Sequence, residues 1–190
     1  DTPYTSWQPE NRDISVTDAF AAITEYRIKH VVITGGELFI QPEALTELCD
    51  KLADYGCHIT IETNATIFAP VNADLISMSP KLANSTPEND RTWTERHDRE
   101  RIKGEVICQF LDRYDCQVKF VVDKPEDLEE IQQLVNELKI PPETVVLMPQ
   151  GLKPEVVNHK EQWLAEICKE QGYRYSPRLH INIWGDKRCT

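Results

Sequence analysis

Long apolar runs, closely spaced cysteines and an excess of basic residues are all lacking in this chain of 190 residues. Each lack removes a class of protein. No stretch approaches the roughly 20 apolar residues that a membrane helix needs, and nothing at the front reads as a signal sequence, so a cytoplasmic protein with no membrane partner is expected. Lys and Arg number 21 against 32 Asp and Glu, a formal net charge of -11. Domains that grip a phosphate backbone are usually basic, so no nucleic acid partner is expected. The cysteines are Cys49, Cys57, Cys108, Cys116, Cys168 and Cys189, and none lies two to four residues from another, which removes a paired-cysteine metal site. Reduced, mostly buried thiols are the expectation. The histidines show neither HxH nor HExxH spacing.

What the chain does have is a recurring alternation of short β-branched runs and helical patterns. The runs are HVVIT (30–34), HITIE (58–62), DLISMS (74–79), QVKFVV (117–122) and TVVLMP (144–149), with RLHINI (178–183) as a sixth. Each is bounded by Gly, Pro or polar residues, as buried strands are. Between them stand helical patterns: SVTDAFAAITEYRIKH with Thr17 as its expected N-cap, PEALTELCDKLADYG, KPEDLEEIQQLVNELK and PEVVNHKEQWLAEICKEQG. Strand-helix alternation implies parallel strands joined by crossover helices, in an open sheet or a closed or partial barrel. The pattern alone leaves both open. A single domain over residues 1–190 is expected, with the polar interval 83–103 as a loop or insertion.

In parallel α/β folds the ligand sits at the carboxyl ends of the strands. Those ends carry Gly35, Gly36 and Glu37, then Glu62, then Ser79 and Lys81, then Gln150. Each has a plain reading: a turn for the glycines, a solvated cation, a loop cap, a turn amide. Together they equip one rim with a carboxylate, an ammonium, an amide and permissive backbone, which suits a zwitterionic ligand bearing a sugar. His180, between Leu179 and Ile181, is either a pocket residue or a satisfied core histidine.

The ordered set DTPYTSW, VITGGE, IETNAT, SPK, KFVV, LMPQG and HINIWGDKR resembles the 7-carboxy-7-deazaguanine synthases, radical S-adenosylmethionine enzymes of the 7-deazapurine and queuosine pathway. The resemblance covers nearly the whole chain. It implies an α/β fold, a partial (β/α) barrel of the radical S-adenosylmethionine type without its first strand, usually a homodimer. It also implies a four-iron, four-sulfur cluster (4Fe-4S), S-adenosylmethionine and magnesium (Mg2+) as cofactors, a pterin substrate, and an electron donor such as flavodoxin or ferredoxin. The reaction implied is the contraction of 6-carboxy-5,6,7,8-tetrahydropterin to 7-carboxy-7-deazaguanine with loss of ammonia.

Carried across by motif, Thr2 matches a magnesium ligand, Thr34 a substrate contact, and Gly35, Gly36 and Glu37 the motif that receives the methionine end of the cofactor. Glu62 matches the ribose contact, Ser79 and Lys81 contacts to the cofactor's sugar and carboxylate, and Gln150 a further cofactor contact. His180 and Thr190 resemble substrate-side positions. The chain departs from the family at Leu38, Ala65 and Cys189, and the last two matter where a positive φ is required. The family's cysteine triplet would end just before Asp1, so the expectation is a polypeptide without its cluster ligands, inactive in the radical step by itself, with an exposed sheet edge. Two other readings stay open: a different radical activating enzyme, and a non-catalytic (β/α) binding protein that lacks the cluster.

Overall fold

The computed structural model describes residues 13–86 and 91–187, which divide into two compact units. The first runs to Met78 and takes back Lys103–Cys116; the second holds Ser79–Ile102 and the chain from Gln117 onward. Thr2, Cys189 and Thr190 lie outside the described residues.

In the first unit, helix α1 (Val16–Glu25) leads to β1 (His30–Ile33), a 3-10 turn (Leu38–Ile40), α2 (Pro42–Asp54), β2 (His58–Thr63) and β3 (Leu75–Met78). The cap of α1 is Ser15 and not Thr17: the Ser15 hydroxyl accepts the Asp18 N–H at 3.0 Å. Serine two residues earlier satisfies an orphan first-turn donor, and Thr17 is carried into the helix. Strands β1, β2 and β3 pair in parallel, with Ile33 opposite Ile61 and Ile61 opposite Ile76. Their shared ladder sends all the trailing loops of this unit in one direction.

The core of this unit is aromatic. Phe110, on α4 (Gly104–Leu111), is fully buried and holds Phe68, Phe39 and Tyr114 at ring-centroid distances of 4.9, 5.2 and 6.0 Å. Tyr114 adds a polar tie, its hydroxyl accepting from Val71 N at 2.9 Å and donating to Val71 O at 3.0 Å. That bond pair satisfies a half-buried backbone and fixes the approach to β3. At the opposite side of the ladder β1 is an end strand, with Val32 and the preceding Ile28 each 58% exposed. Those residues, with Ala22, Ile23 and Tyr26, line an open groove of ≈ 310 Å³.

The second unit contains α3 (Arg91–Glu100), all but the first residue of β4 (Cys116–Val122), α5 (Asp127–Leu138), β5 (Val145–Pro149), α6 (Pro154–Gln171), β6 (Arg174–Tyr175) and α7 (Leu179–Trp184). Strands β4, β5 and β6 are parallel, Phe120 standing opposite Leu147 and Leu147 opposite Tyr175. Val118, Phe120, Val145 and Leu147 on the strands and Ile131, Val157 and Leu164 on the helices are buried. Apolar residues at strand and helix periods thus meet in one layer contact.

Two expectations are corrected in this unit. The interval 83–103 is not a structureless loop: a 3-10 turn (Ala83–Ser85) and helix α3 occupy much of it. Its residues are too polar to show a buried stripe, yet α3 is tied locally, with the His97 ring nitrogens 3.1 Å from the Ser85 and Thr86 hydroxyls. The run RLHINI is not the sixth strand, which is Arg174–Tyr175; Leu179–Trp184 is helical, and His180 therefore sits on α7. Ile181 is buried while Leu179 and Ile183 are 61% and 55% exposed, so only one side chain in this turn is anchored and a period of two is not realised. Six residues are too few for apolar spacing to separate the two geometries.

Among the described residues no helix is long and apolar enough to cross a membrane. Truncation of the central aromatic, Phe110→Ala, is expected to lower the unfolding free energy by about 3–5 kcal/mol, the usual cost of a large-to-small change in a closed core. Urea denaturation followed by tryptophan fluorescence and circular dichroism measures it.

Candidate functional site

Parallel register places Thr34 and Glu62 side by side just beyond the β1–β2 ladder, and the Thr34 hydroxyl donates to Glu62 Oε2 at 3.2 Å. Two of the predicted contacts are therefore adjacent. The backbone then bends through Gly35 and Gly36, both exposed. Neither is among the glycines of positive φ, which are Gly56, Gly151, Gly172 and Gly185. A Cβ at Gly35 would stand 3.3 Å from Leu38 Cδ2, tight but against a movable side-chain end.

Glu37 closes the bend. Its carboxylate accepts the Thr63 hydroxyl at 2.8 and 2.9 Å, Asn64 N at 3.2 Å and Phe39 N at 3.1 Å. Glu37 thus caps the 3-10 turn and latches the β1 exit onto the β2 exit. Thr63 passes the connection on, its oxygen accepting Ala65 N at 3.0 Å. Asn64 Oδ1 accepts both Thr66 N at 3.1 Å and the Thr66 hydroxyl at 2.7 Å, an Asx-type turn. Ala65 is the departure from the family at which φ is positive: it is buried at φ 59°, a conformation costing an alanine about 1–2 kcal/mol relative to the right-handed region.

In the second unit Ser79 and Lys81 begin the chain that follows β3, and Gln150 follows β5. Lys81 O accepts from Arg101 Nη1 at 3.1 Å. Arg101 is in turn ion-paired with Glu130, whose other oxygen accepts Ala83 N at 3.0 Å. Gln150 N donates to Val122 O at 2.8 Å, and Gln150 O accepts from Lys160 Nζ at 2.8 Å. Next in line, Gly151 is packed so closely that a Cβ would meet Val157 Cγ2 at 2.9 Å and Val156 Cγ1 at 3.1 Å. His180 is exposed on α7, its imidazole held below the usual range by partial burial and then by the Arg178 charge.

Sequence reasoning missed several residues of these rims. Thr63 and Asn64 hold Glu37, while Arg101, Glu130, Asp123 and Lys160 hold the rim of the second unit. Only the TN within IETNAT carried a local signal, as an Asx turn. The others meet their partners from distant stretches of chain.

The donor chemistry of each unit suits polar parts of a small ligand. In the first, exposed backbone at Gly35–Gly36 and the half-buried Glu62 carboxylate complement an amino group and a diol; in the second, the Lys81 ammonium complements a carboxylate. That chemistry does not fit an iron-sulfur cluster. Among the described residues no group of three His, Cys, Asp or Glu side chains is placed to hold a metal. The five described cysteines are free. Burial and then Asp50 push the Cys49 thiol up to about 12, and burial and then Asp115 do the same to Cys116. Such thiols stay neutral, whereas cluster ligation requires thiolate.

No family model matches the chain. Among curated proteins it is similar to the 7-carboxy-7-deazaguanine synthase of Halobacterium salinarum, 41% identical over 98% of this chain and 77% of that protein. The synonymous protein of Rhodopirellula baltica is 37% identical over 100% of this chain and 75% of its own length. Among solved structures, the crystal structure of QueE from Escherichia coli superposes with a TM-score of 0.61 at 23% identity, over 90% of this chain and 69% of that one. The last likeness shows the α/β fold.

Ala65→Gly is expected to shift the unfolding free energy by less than about 1 kcal/mol, as relief of the left-handed conformation offsets the added chain entropy. Ala65→Val is expected to cost more than about 2 kcal/mol, because a β-branched side chain is a steric outlier there. Chemical denaturation of the pair reads the difference.

Proposed function

Because the chain belongs to the 7-carboxy-7-deazaguanine synthase family, we infer that the protein converts 6-carboxy-5,6,7,8-tetrahydropterin into 7-carboxy-7-deazaguanine with release of ammonia, in 7-deazapurine and queuosine biosynthesis. The observation that carries this reading is identity of 41% sustained across 98% of the chain. The strand exits supply its physical support.

S-adenosylmethionine, when bound, supplies the hydrogen-atom abstraction that starts the pterin rearrangement. The chain's own contribution is binding and placement. The exposed Gly35–Gly36 backbone would take the methionine amino group, Glu62 the ribose hydroxyls, and Ser79, Lys81 and Gln150 the remaining polar atoms of the cofactor. Thr34, already donating to Glu62, is proposed to orient that carboxylate while facing the substrate. Glu37 acts one step back, since its in-chain partners hold the shape of the loop.

Cluster thiolates would have to come from outside the described residues, and we propose that these 190 residues by themselves do not carry out the radical step. Magnesium through Thr2, substrate contacts at Thr190 and His180, a homodimeric assembly and a low-potential electron donor such as flavodoxin or ferredoxin complete the proposal. The cytoplasm is the compartment it implies, since free thiols such as Cys49 and Cys168 persist under reducing conditions.

A polypeptide that joins these residues to a triplet of cluster cysteines, incubated anaerobically with the carboxypterin, S-adenosylmethionine and a reductant, is expected to yield the deazaguanine product by mass spectrometry. Turnover of S-adenosylmethionine with no change in the pterin would overturn the assignment. The 190-residue polypeptide, treated with iron and sulfide, is expected to gain no cluster absorbance. In the cluster-bearing polypeptide, Glu62→Ala and Lys81→Ala should each weaken S-adenosylmethionine binding by about 1–3 kcal/mol, the loss typical of a charge-assisted contact; calorimetry with both affinities unchanged would remove these residues from the site.

A further inference from the structure

Two ion pairs in the second unit are built alike and end on the same kind of atom. Lys160, on α6, bonds Asp123 Oδ1 at 2.6 Å and Gln150 O at 2.8 Å. Arg101, just past α3, pairs with Glu130 and donates to Lys81 O at 3.1 Å. Each cation therefore spans a carboxylate and the main-chain carbonyl of a residue at a strand exit. The cationic side chains are largely buried, 12% exposed for Lys160 and 19% for Arg101.

Fold stability alone is a poor reason for this arrangement. Burying an ammonium or guanidinium sacrifices hydration, and replacing such a pair with apolar groups is often neutral or stabilising. Helix α6 already has Val157, Leu164 and Cys168 as buried anchors. A carbonyl at a loop could equally take water. What an ion pair adds is one fixed geometry: a short charge-assisted bond to the carbonyl, with the cation itself held by a carboxylate on another element. The Gln150 backbone shows the result, tied on its N–H side to Val122 O and on its carbonyl side to Lys160.

We propose that Lys160–Asp123 and Arg101–Glu130 are positioning pairs, which clamp the carbonyls of Gln150 and Lys81 and so set the pose in which those two residues meet S-adenosylmethionine. The proposal rests on the reading of Lys81 and Gln150 as cofactor contacts. It makes Lys160 and Arg101 positioning residues that do not themselves touch the cofactor.

Calorimetric titration of the protein with S-adenosylmethionine tests it, beside the thermal midpoint of each variant. Lys160→Met and Arg101→Met are each expected to weaken binding about tenfold, the loss of one charge-assisted bond, with the midpoint maintained. Lys160→Arg, which keeps a cation under the carbonyl, is expected to recover most of the affinity. Unchanged affinity in both methionine variants overturns the proposal, as does a lowered midpoint with affinity intact, because the pairs then serve the fold alone. Should a methionine variant fail to fold, Asp123→Asn decides: it leaves the Lys160–carbonyl bond but frees the ammonium, and is expected to weaken binding about threefold, while no change overturns. If the unsubstituted protein has no affinity for S-adenosylmethionine, the cofactor reading falls and this inference falls with it.

Discussion

The Glu37 carboxylate is the constraint on which the first rim depends. It receives one side-chain hydroxyl and two backbone amides, so its charge is spread over donors from two consecutive strand exits. A neutral side chain of similar length would offer a weaker acceptor to each. With that group in place, the Gly35–Gly36 bend has a defined start at Thr34 and a defined finish at the 3-10 turn. Glu62, its own backbone held in the β2–β3 ladder opposite Ser77, is then presented beside Thr34. In three dimensions Glu37 is the lock of the loop between β1 and the 3-10 turn.

The second unit solves the same problem with different parts. There the Asp127 carboxylate accepts Asp123 N, Lys124 N and the Asn84 side-chain amide, and two cations, Lys160 on α6 and Arg101 just past α3, reach back to individual carbonyls. Both solutions obey the same rule, that backbone leaving a sheet must find partners for donors and acceptors the ladder no longer serves.

Strands β1 to β5 could be read from the sequence because each is a β-branched run ended by Gly, Pro or a polar residue, and that signal is local. Helices α2, α5 and α6 were equally plain, with Pro or acidic first turns and a close at Gly56, Lys139 or Gly172. The failures share a cause. RLHINI supplied the spacing of a strand, yet only Ile181 found a core; α3 had no apolar stripe and is held by polar contacts such as His97 with Ser85; Thr17 and Ser15 compete as caps two residues apart, and only geometry chooses. The site residues were visible as a list of polar groups after strands. Their bonding was not, since Glu37 meets Thr63 across 26 residues and Asp123 meets Lys160 across 37.

Gly151 carries one more consequence. With Val156 and Val157 standing where its side chain would be, the peptide after Gln150 lies directly on the first turn of α6, and no soft layer separates the two. A small rotation of that helix would therefore be felt at once by the Gln150 carbonyl, while a disturbance at Gln150 would press on the helix start. Loop and helix move as a single lever, with its fulcrum at a residue that has no side chain to cushion it.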